Sequence, residues 1–216
     1  MLHHYLTLLI NLMYWFSYIP VSLKYGTIIT LHKGNGKRKD VPKNYRAITL
    51  SSSILKLYER ILLKRLQNCI SKPLHPLQGG FQKKMGSMMT SLIVKESIHF
   101  CQEKNSKLYT CFLDARQAFD RVWHDGLIYK LHQLGVNITL LKTVIAMHIE
   151  MYSRVLHAGH YSDWFPVLQG TRQGGVWSPF LYLCYINDLI DILSKSNLGL
   201  KISNYDFCSP SFADDI

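Results

Sequence analysis

Acid is what this sequence has least of among its charges: 14 Asp and Glu stand against 25 Lys and Arg, a formal +11 over 216 residues. A balance that far from neutral points to a polyanionic partner, nucleic acid first and an anionic membrane surface second. The excess is concentrated, because between Lys24 and Arg65 eleven basic residues accompany only Asp40 and Glu59, +9 of the total. Cysteine pairing is also lacking. Cys69, Cys101, Cys111, Cys184 and Cys208 are scattered, odd in number and form no C-x-x-C. This argues against a disulfide framework and a cysteine zinc site, and suits a reducing compartment, nucleus or cytoplasm, rather than secretion. Internal repeats and low-complexity linkers are absent as well, and His157 and His160 make only an isolated H-x-x-H.

No apolar run is long enough to span a bilayer. The stretch "YLTLLINLMYWFSYIP" falls short of the roughly 20 residues needed, and Thr7, Asn11 and Ser17 interrupt it. It has neither a basic leader nor a small-residue cleavage site. Leu8, Leu12, Trp15 and Ile19 recur near helical spacing up to Pro20, so a buried helix is expected rather than a membrane anchor.

Beyond it, "GTIITLH" reads as a strand and "KGNGKRKDVPKN" as a loop that does not fit a phosphate-binding P-loop. Ser51 to Ser53 offer N-caps for a helix whose apolar face comprises Ile54, Leu57, Tyr58, Ile61, Leu62 and Leu66, leaving Lys56, Arg60 and Lys64 outside. A second helix is expected over "SMMTSLIVKESIHFCQEKN", and a strand over "KLYTCFLDA" ending at Asp114. A helix from about Arg116 to Leu134 follows, then helical "NITLLKTVIAMHIEMY" and a hairpin turning near "AGHYSD". The loop "GTRQGGVWSP" feeds a last helix, and strand-like "SFADD" closes the chain. Strands interspersed with helices indicate an α+β layer with a mostly antiparallel sheet.

Two strand ends deliver carboxylates: Asp114 at the end of "CFLD", and Asp214 with Asp215 in "FADD". If those ends converge, the three could hold hard, oxygen-seeking cations such as Mg²⁺. Neighbouring residues on a strand point to opposite faces, so Asp214 and Asp215 can share a site only if the chain makes a tight hairpin there. An Asp-Asp pair alone says little, since an exposed turn is its usual place.

Taken in order, "NYRAITLSSSILKLYERIL", "LQGGFQ", "FLDARQAFDRVWHDGLIYKL", "LQGTRQGGVWSPFLYLCYIND" and "FADD" resemble the reverse transcriptase domain of non-LTR (LINE-like) retrotransposons, from about Ile19 to Ile216. The resemblance implies the right-hand polymerase fold, with fingers over about 1–107 and palm over about 108–216, incomplete after FADD and with the thumb absent. It implies RNA-directed DNA polymerase activity on an RNA template and DNA primer with dNTPs, using two Mg²⁺ ions or Mn²⁺. Asp114 and Asp214 would be metal ligands and Asp215 their partner. Phe119, five residues past Asp114, would be a steric gate against a ribose 2′-OH, with Asp120 structural. Gln173 would lie near the incoming nucleotide, Gly174 and Gly175 would let backbone approach it, and Lys33 and Arg46 would neutralise the triphosphate. The alternative is a truncated or domesticated remnant that binds nucleic acid without polymerising. The sequence departs from the family's usual pattern at Ala47, at Gln82 and Lys83, and at Gly175 and Trp177, but at no carboxylate.

Overall fold

The computed structural model describes every residue except Met1, Ser71, Pro73, Lys83, Asn197 and Asn204, and leaves aside the side chain of Asp206. It is a mixed α/β structure whose chain divides into two compact units, Met1–Lys72 with Phe119–Ser178, and Pro73–Ala118 with Pro179–Ile216.

The first unit is built on a mixed sheet. The β-branched run of "GTIITLH" becomes β1 (Tyr25–His32), which pairs antiparallel with β2 (Tyr45–Leu50) from Thr27↔Leu50 to His32↔Tyr45. The other edge of β1 pairs in parallel with β3 (Tyr152–His157), so the sheet is not purely antiparallel. The expected hairpin is present: β3 turns at Ala158 and Gly159 into β4 (His160–Tyr161), and β5 (Phe165–Pro166) also pairs with β3.

Helices complete this unit. α1 (Leu2–Trp15) forms as expected but is not buried: Leu8, Leu12 and Trp15 are exposed, while Ile10 and Met13 turn inward. A short α2 (Val21–Lys24) follows Pro20. In α3 (Ser53–Cys69), Ser52 caps the start by accepting the Leu55 amide at 3.1 Å. The buried stripe is Leu55, Tyr58, Glu59, Leu62 and Leu66, so Ile54 and Leu57 lie outside it, contrary to expectation. An acid displaces them because Glu59 has a partner, the Val176 amide. The expected helix from Arg116 loses its first part: Gln117 has φ +58° and Phe119–Arg121 form a 3₁₀ turn, so α5 begins only at His124 (His124–Gln133). α6 (Ile138–His148) is capped by Asn137.

The second unit contains α4 (Ser87–Glu103), α7 (Ser178–Lys195, starting on the last residue of the first unit) and a small hairpin, β6 (Lys201–Ile202) with β7 (Tyr205–Asp206). Leu181, Leu183, Cys184 and Ile190 are buried on α7. "KLYTCFLDA" is not a regular strand. Only its end finds a partner, at Asp114↔Asp215, and an extended segment without a ladder partner is not a strand.

Candidate active site

Asp114, Asp214 and Asp215 all lie in the second unit, where Asp114 pairs with Asp215. Phe212 pairs with Asp215, the Phe212 amide donating to Asp215 O at 2.8 Å and the Asp215 amide to Phe212 O at 3.2 Å. Ala213 and Asp214 are therefore the two central residues of a tight hairpin, the turn anticipated at FADD. Ala213 takes φ +59°, the hand that matches the twist of hairpin strands, but uncommon for a residue with a side chain.

The return arm of this hairpin then meets the residues around Asp114. Leu113 and Ile216 exchange both backbone hydrogen bonds, at 2.7 and 3.0 Å, and the Ala115 amide donates to Asp214 O at 3.3 Å. Asp114↔Asp215 is therefore the non-hydrogen-bonded pair of an antiparallel ladder, where opposite side chains share a face and approach most closely. Two exposed carboxylates directly opposed repel each other, and a bound cation would relieve that repulsion. Asp214 is half-buried on the turn, and its negative charge adds to the effect of burial in pushing the Tyr182 phenol up to about 12. Oxygen-only donors suit Mg²⁺, which keeps several waters and shares substrate phosphates rather than needing an all-protein cage. Among the described residues no three His, Cys, Asp or Glu side chains cluster as a ready-made metal cage, and Asp114, Asp214 and Asp215 are no exception.

Sequence reading gave the segment "LQGGFQ" no role at this turn. It runs parallel beside it: the Gly79 amide donates to Ser211 O at 2.7 Å, the Ser211 amide to Leu77 O at 2.9 Å, and the buried Gln78 side chain bonds Ala213. The Gly-Gly step was the only hint, as a place where backbone lies close to backbone. Lys83 lies outside the described residues.

The remaining candidates lie in the first unit. Lys33 and Arg46 are exposed on the β1–β2 hairpin. Leu31 faces Arg46 and the Lys33 amide bonds Asn44 O, so period-two alternation puts both cations on one face. Lys33 Nζ donates to Lys43 O at 2.9 Å.

Gln173 is held at both ends. Its carbonyl accepts the Thr49 amide at 2.7 Å, and its Nε2 donates to both Asp120 carboxylate oxygens at 3.0 Å. Desolvation pushes the Asp120 carboxyl above its usual range, with the Gln173 bond opposing. The half-buried Phe119 is fixed through its carbonyl, which accepts the Thr171 amide at 2.8 Å. Gly174 has φ +111°, and a Cβ there would sit 2.7 Å from Thr49 O, so its close neighbour is the end of β2. Glu59 tethers the same loop by accepting the Val176 amide at 2.6 Å; burial pushes its carboxyl up, while that bond and the charges of Arg172 and Lys56 oppose the shift.

Comparison with known proteins matches residues 32–216 to the family described as "Reverse transcriptase (RNA-dependent DNA polymerase)". The chain is 33% identical over 190 residues to the RNA-directed DNA polymerase from mobile element jockey of Drosophila melanogaster, covering 86% of this chain and 20% of that protein. It is 34% identical over 193 residues to the probable RNA-directed DNA polymerase from transposon BS of the same fly, covering 86% and 20% respectively. A Pol polyprotein from the type-1 retrotransposable element R2 of Popillia japonica is 28% identical over 177 residues, covering 81% and 25%. The chain thus spans about a fifth to a quarter of the length of these relatives.

Proposed function

Since the chain belongs to the reverse transcriptase family, we propose that it carries the nucleotidyl-transfer centre of an RNA-directed DNA polymerase of a non-LTR retroelement. The observation that carries this reading is the opposed pair Asp114 and Asp215, with Asp214 on the adjoining turn. The primer 3′-OH attacks the α-phosphate of a dNTP, the new O–P bond forms, and pyrophosphate leaves. Two Mg²⁺ ions, or Mn²⁺, would supply activation of the attacking oxygen and stabilisation of the leaving one. Asp114, Asp214 and Asp215 are the residues that would hold them, and the turn orients the last two.

In the first unit Lys33 and Arg46 offer positive charge to the triphosphate, an electrostatic contribution set in place before reaction. Phe119 acts as the ribose gate. Gln173, already anchored by Thr49 and Asp120, lines the nucleotide site, with Gly174 beside it. In right-hand terms, fingers span about 1–107 and palm about 108–216, a division that differs from the two compact units. The partners are an RNA template and a DNA primer. An intracellular setting, nucleus or cytoplasm, accords with five free cysteines, and no helix among the described residues is long and apolar enough to cross a membrane.

Primer extension on an RNA template with Mg²⁺ tests the reading, with the Asp214→Asn, Asp215→Asn double variant as control. Incorporation by the unaltered chain and none by the control is the expected result. Equal incorporation by both, or none by either, overturns it, and retained nucleic-acid binding in the latter case would point to a non-polymerising remnant.

A further inference from the structure

Beside the acidic turn lies an enclosed side-chain amide. Gln78 is 1% exposed, and its amide grips one residue by both of its backbone groups. Oε1 accepts the Ala213 amide at 2.9 Å, and Nε2 donates to Ala213 O at 3.2 Å. Oε1 also accepts the Gly80 amide at 2.8 Å, which fixes the side chain to its own segment. The residue so held is the strained one, Ala213 at φ +59°. A backbone conformation of that kind persists only where its surroundings over-determine it. Gly80 lies flush against the same residue, since a Cβ there would collide with the Ala213 N and Cα.

Resting on the function proposed above, we infer that Gln78 is a positioning residue for the acidic turn. It holds both peptide planes of Ala213, and so sets where Asp214 points and where Asp215 stands opposite Asp114. Both bonds fall on the one positive-φ residue of the turn, between Phe212 and Asp214.

The test uses the full chain with Gln78→Leu, which keeps volume but removes both bonds, and Gln78→Glu, which keeps the acceptor but replaces the donor with an oxygen facing Ala213 O. A third variant combines Gln78→Leu with Ala213→Gly, because glycine adopts the positive φ without strain. Mn²⁺ binding is followed by electron paramagnetic resonance without substrate, dNTP kinetics by primer extension, and amide exchange at Asp215 by NMR.

Gln78→Leu should weaken Mn²⁺ binding and lower kcat by about tenfold to a hundredfold, as loss of an outer-shell support does, with the dNTP KM little changed. Exchange at Asp215, whose amide bonds Phe212 rather than Gln78, should speed up by at least about tenfold. Gln78→Glu should fall between, and the added Ala213→Gly should recover part of the loss. If the unaltered chain binds Mn²⁺ and Gln78→Leu binds it equally, with unchanged Asp215 exchange, the positioning role is overturned while the polymerase reading stands. If the unaltered chain binds no Mn²⁺ and extends no primer, the polymerase reading fails, and the Asp215 exchange rates alone decide whether Gln78 holds the turn. Failure of Ala213→Gly to restore anything overturns the strain-holding account.

Discussion

Six consecutive pairs, Thr27↔Leu50 through His32↔Tyr45, hold the hairpin that presents Lys33 and Arg46. The turn that presents Asp214 closes on a single pair, Phe212↔Asp215, and its return arm meets the Asp114 segment only at Leu113, Asp114 and Ala115. Cations displayed to solvent on one strand face tolerate one another, and an ordinary ladder suffices. Opposed carboxylates work against the pairing that brings them together, so their geometry is enforced by borrowed contacts: Ser211 beside Leu77 and Gly79, and Gln78 on Ala213. A regular ladder positions the tolerant charges, and isolated backbone pairs reinforced by one side-chain amide position the intolerant ones.

The contrast breaks most sharply at the acids. Asp114→Asn should lower primer extension by about a thousandfold while leaving stability unchanged or raising it by up to about 1 kcal/mol, because it removes a like-charge pair. Activity and denaturant midpoint measured on one preparation check this, and a destabilised variant would mean the carboxylates do not repel.

The next largest effect falls in the first unit. Glu59→Ala leaves the part-buried Val176 amide without its acceptor, removes a negative charge that Arg172 feels, and should cost about 3 kcal/mol. Glu59→Gln keeps an acceptor and should cost less. Urea melts of the two separate a hydrogen-bonding role from a charge role.

The first unit should also carry a pH dependence through His148, whose ring bonds Val144 O at 2.8 Å and packs near His124 and Trp177. Burial depresses its pKa from 6.5 to about 4, with the positive charges of His124 and Arg172 acting in the same direction and the Val144 bond against it. A depressed folded pKa means that the unfolded chain takes up the proton first. The stability from this site is therefore complete above pH 6.5 and drains away as pH falls toward 4, by about 3 kcal/mol. His148→Phe should flatten that slope in melts run across the window.

The smallest effect belongs to the regular hairpin. Lys33→Ala or Arg46→Ala should raise the dNTP KM by about tenfold (about 1.4 kcal/mol) and leave the melting midpoint within about 0.5 kcal/mol, since both residues are exposed.

What could be read from the sequence follows the same division. β1, α3, α6 and the hairpin at Ala158–Gly159 were legible because apolar runs, a capping serine among Ser51 to Ser53 and a Gly-containing turn are local signals. The turn at FADD was legible from the alternation of strand side chains together with the requirement that two adjacent acids share a site. The exposure of α1 was not, because spacing shows that a helix has an apolar face but not whether anything covers it. The false start of α5 has a tertiary cause: Phe119 and Val122 give their carbonyls to the Thr171 and Gly170 amides, an arrangement no helical periodicity reports. Gln78 was invisible for the same reason, since its partner lies 135 residues away in the chain.

Asp114 and Asp215 face each other across the ladder, and the proposed centre requires them to share a divalent cation. Titration of Mn²⁺ into the full chain, read by electron paramagnetic resonance, addresses that directly. Binding by the unaltered chain, weakened at least about tenfold in an Asp114→Asn, Asp215→Asn variant, is the predicted result. Equal affinity of the two proteins for Mn²⁺ would contradict it.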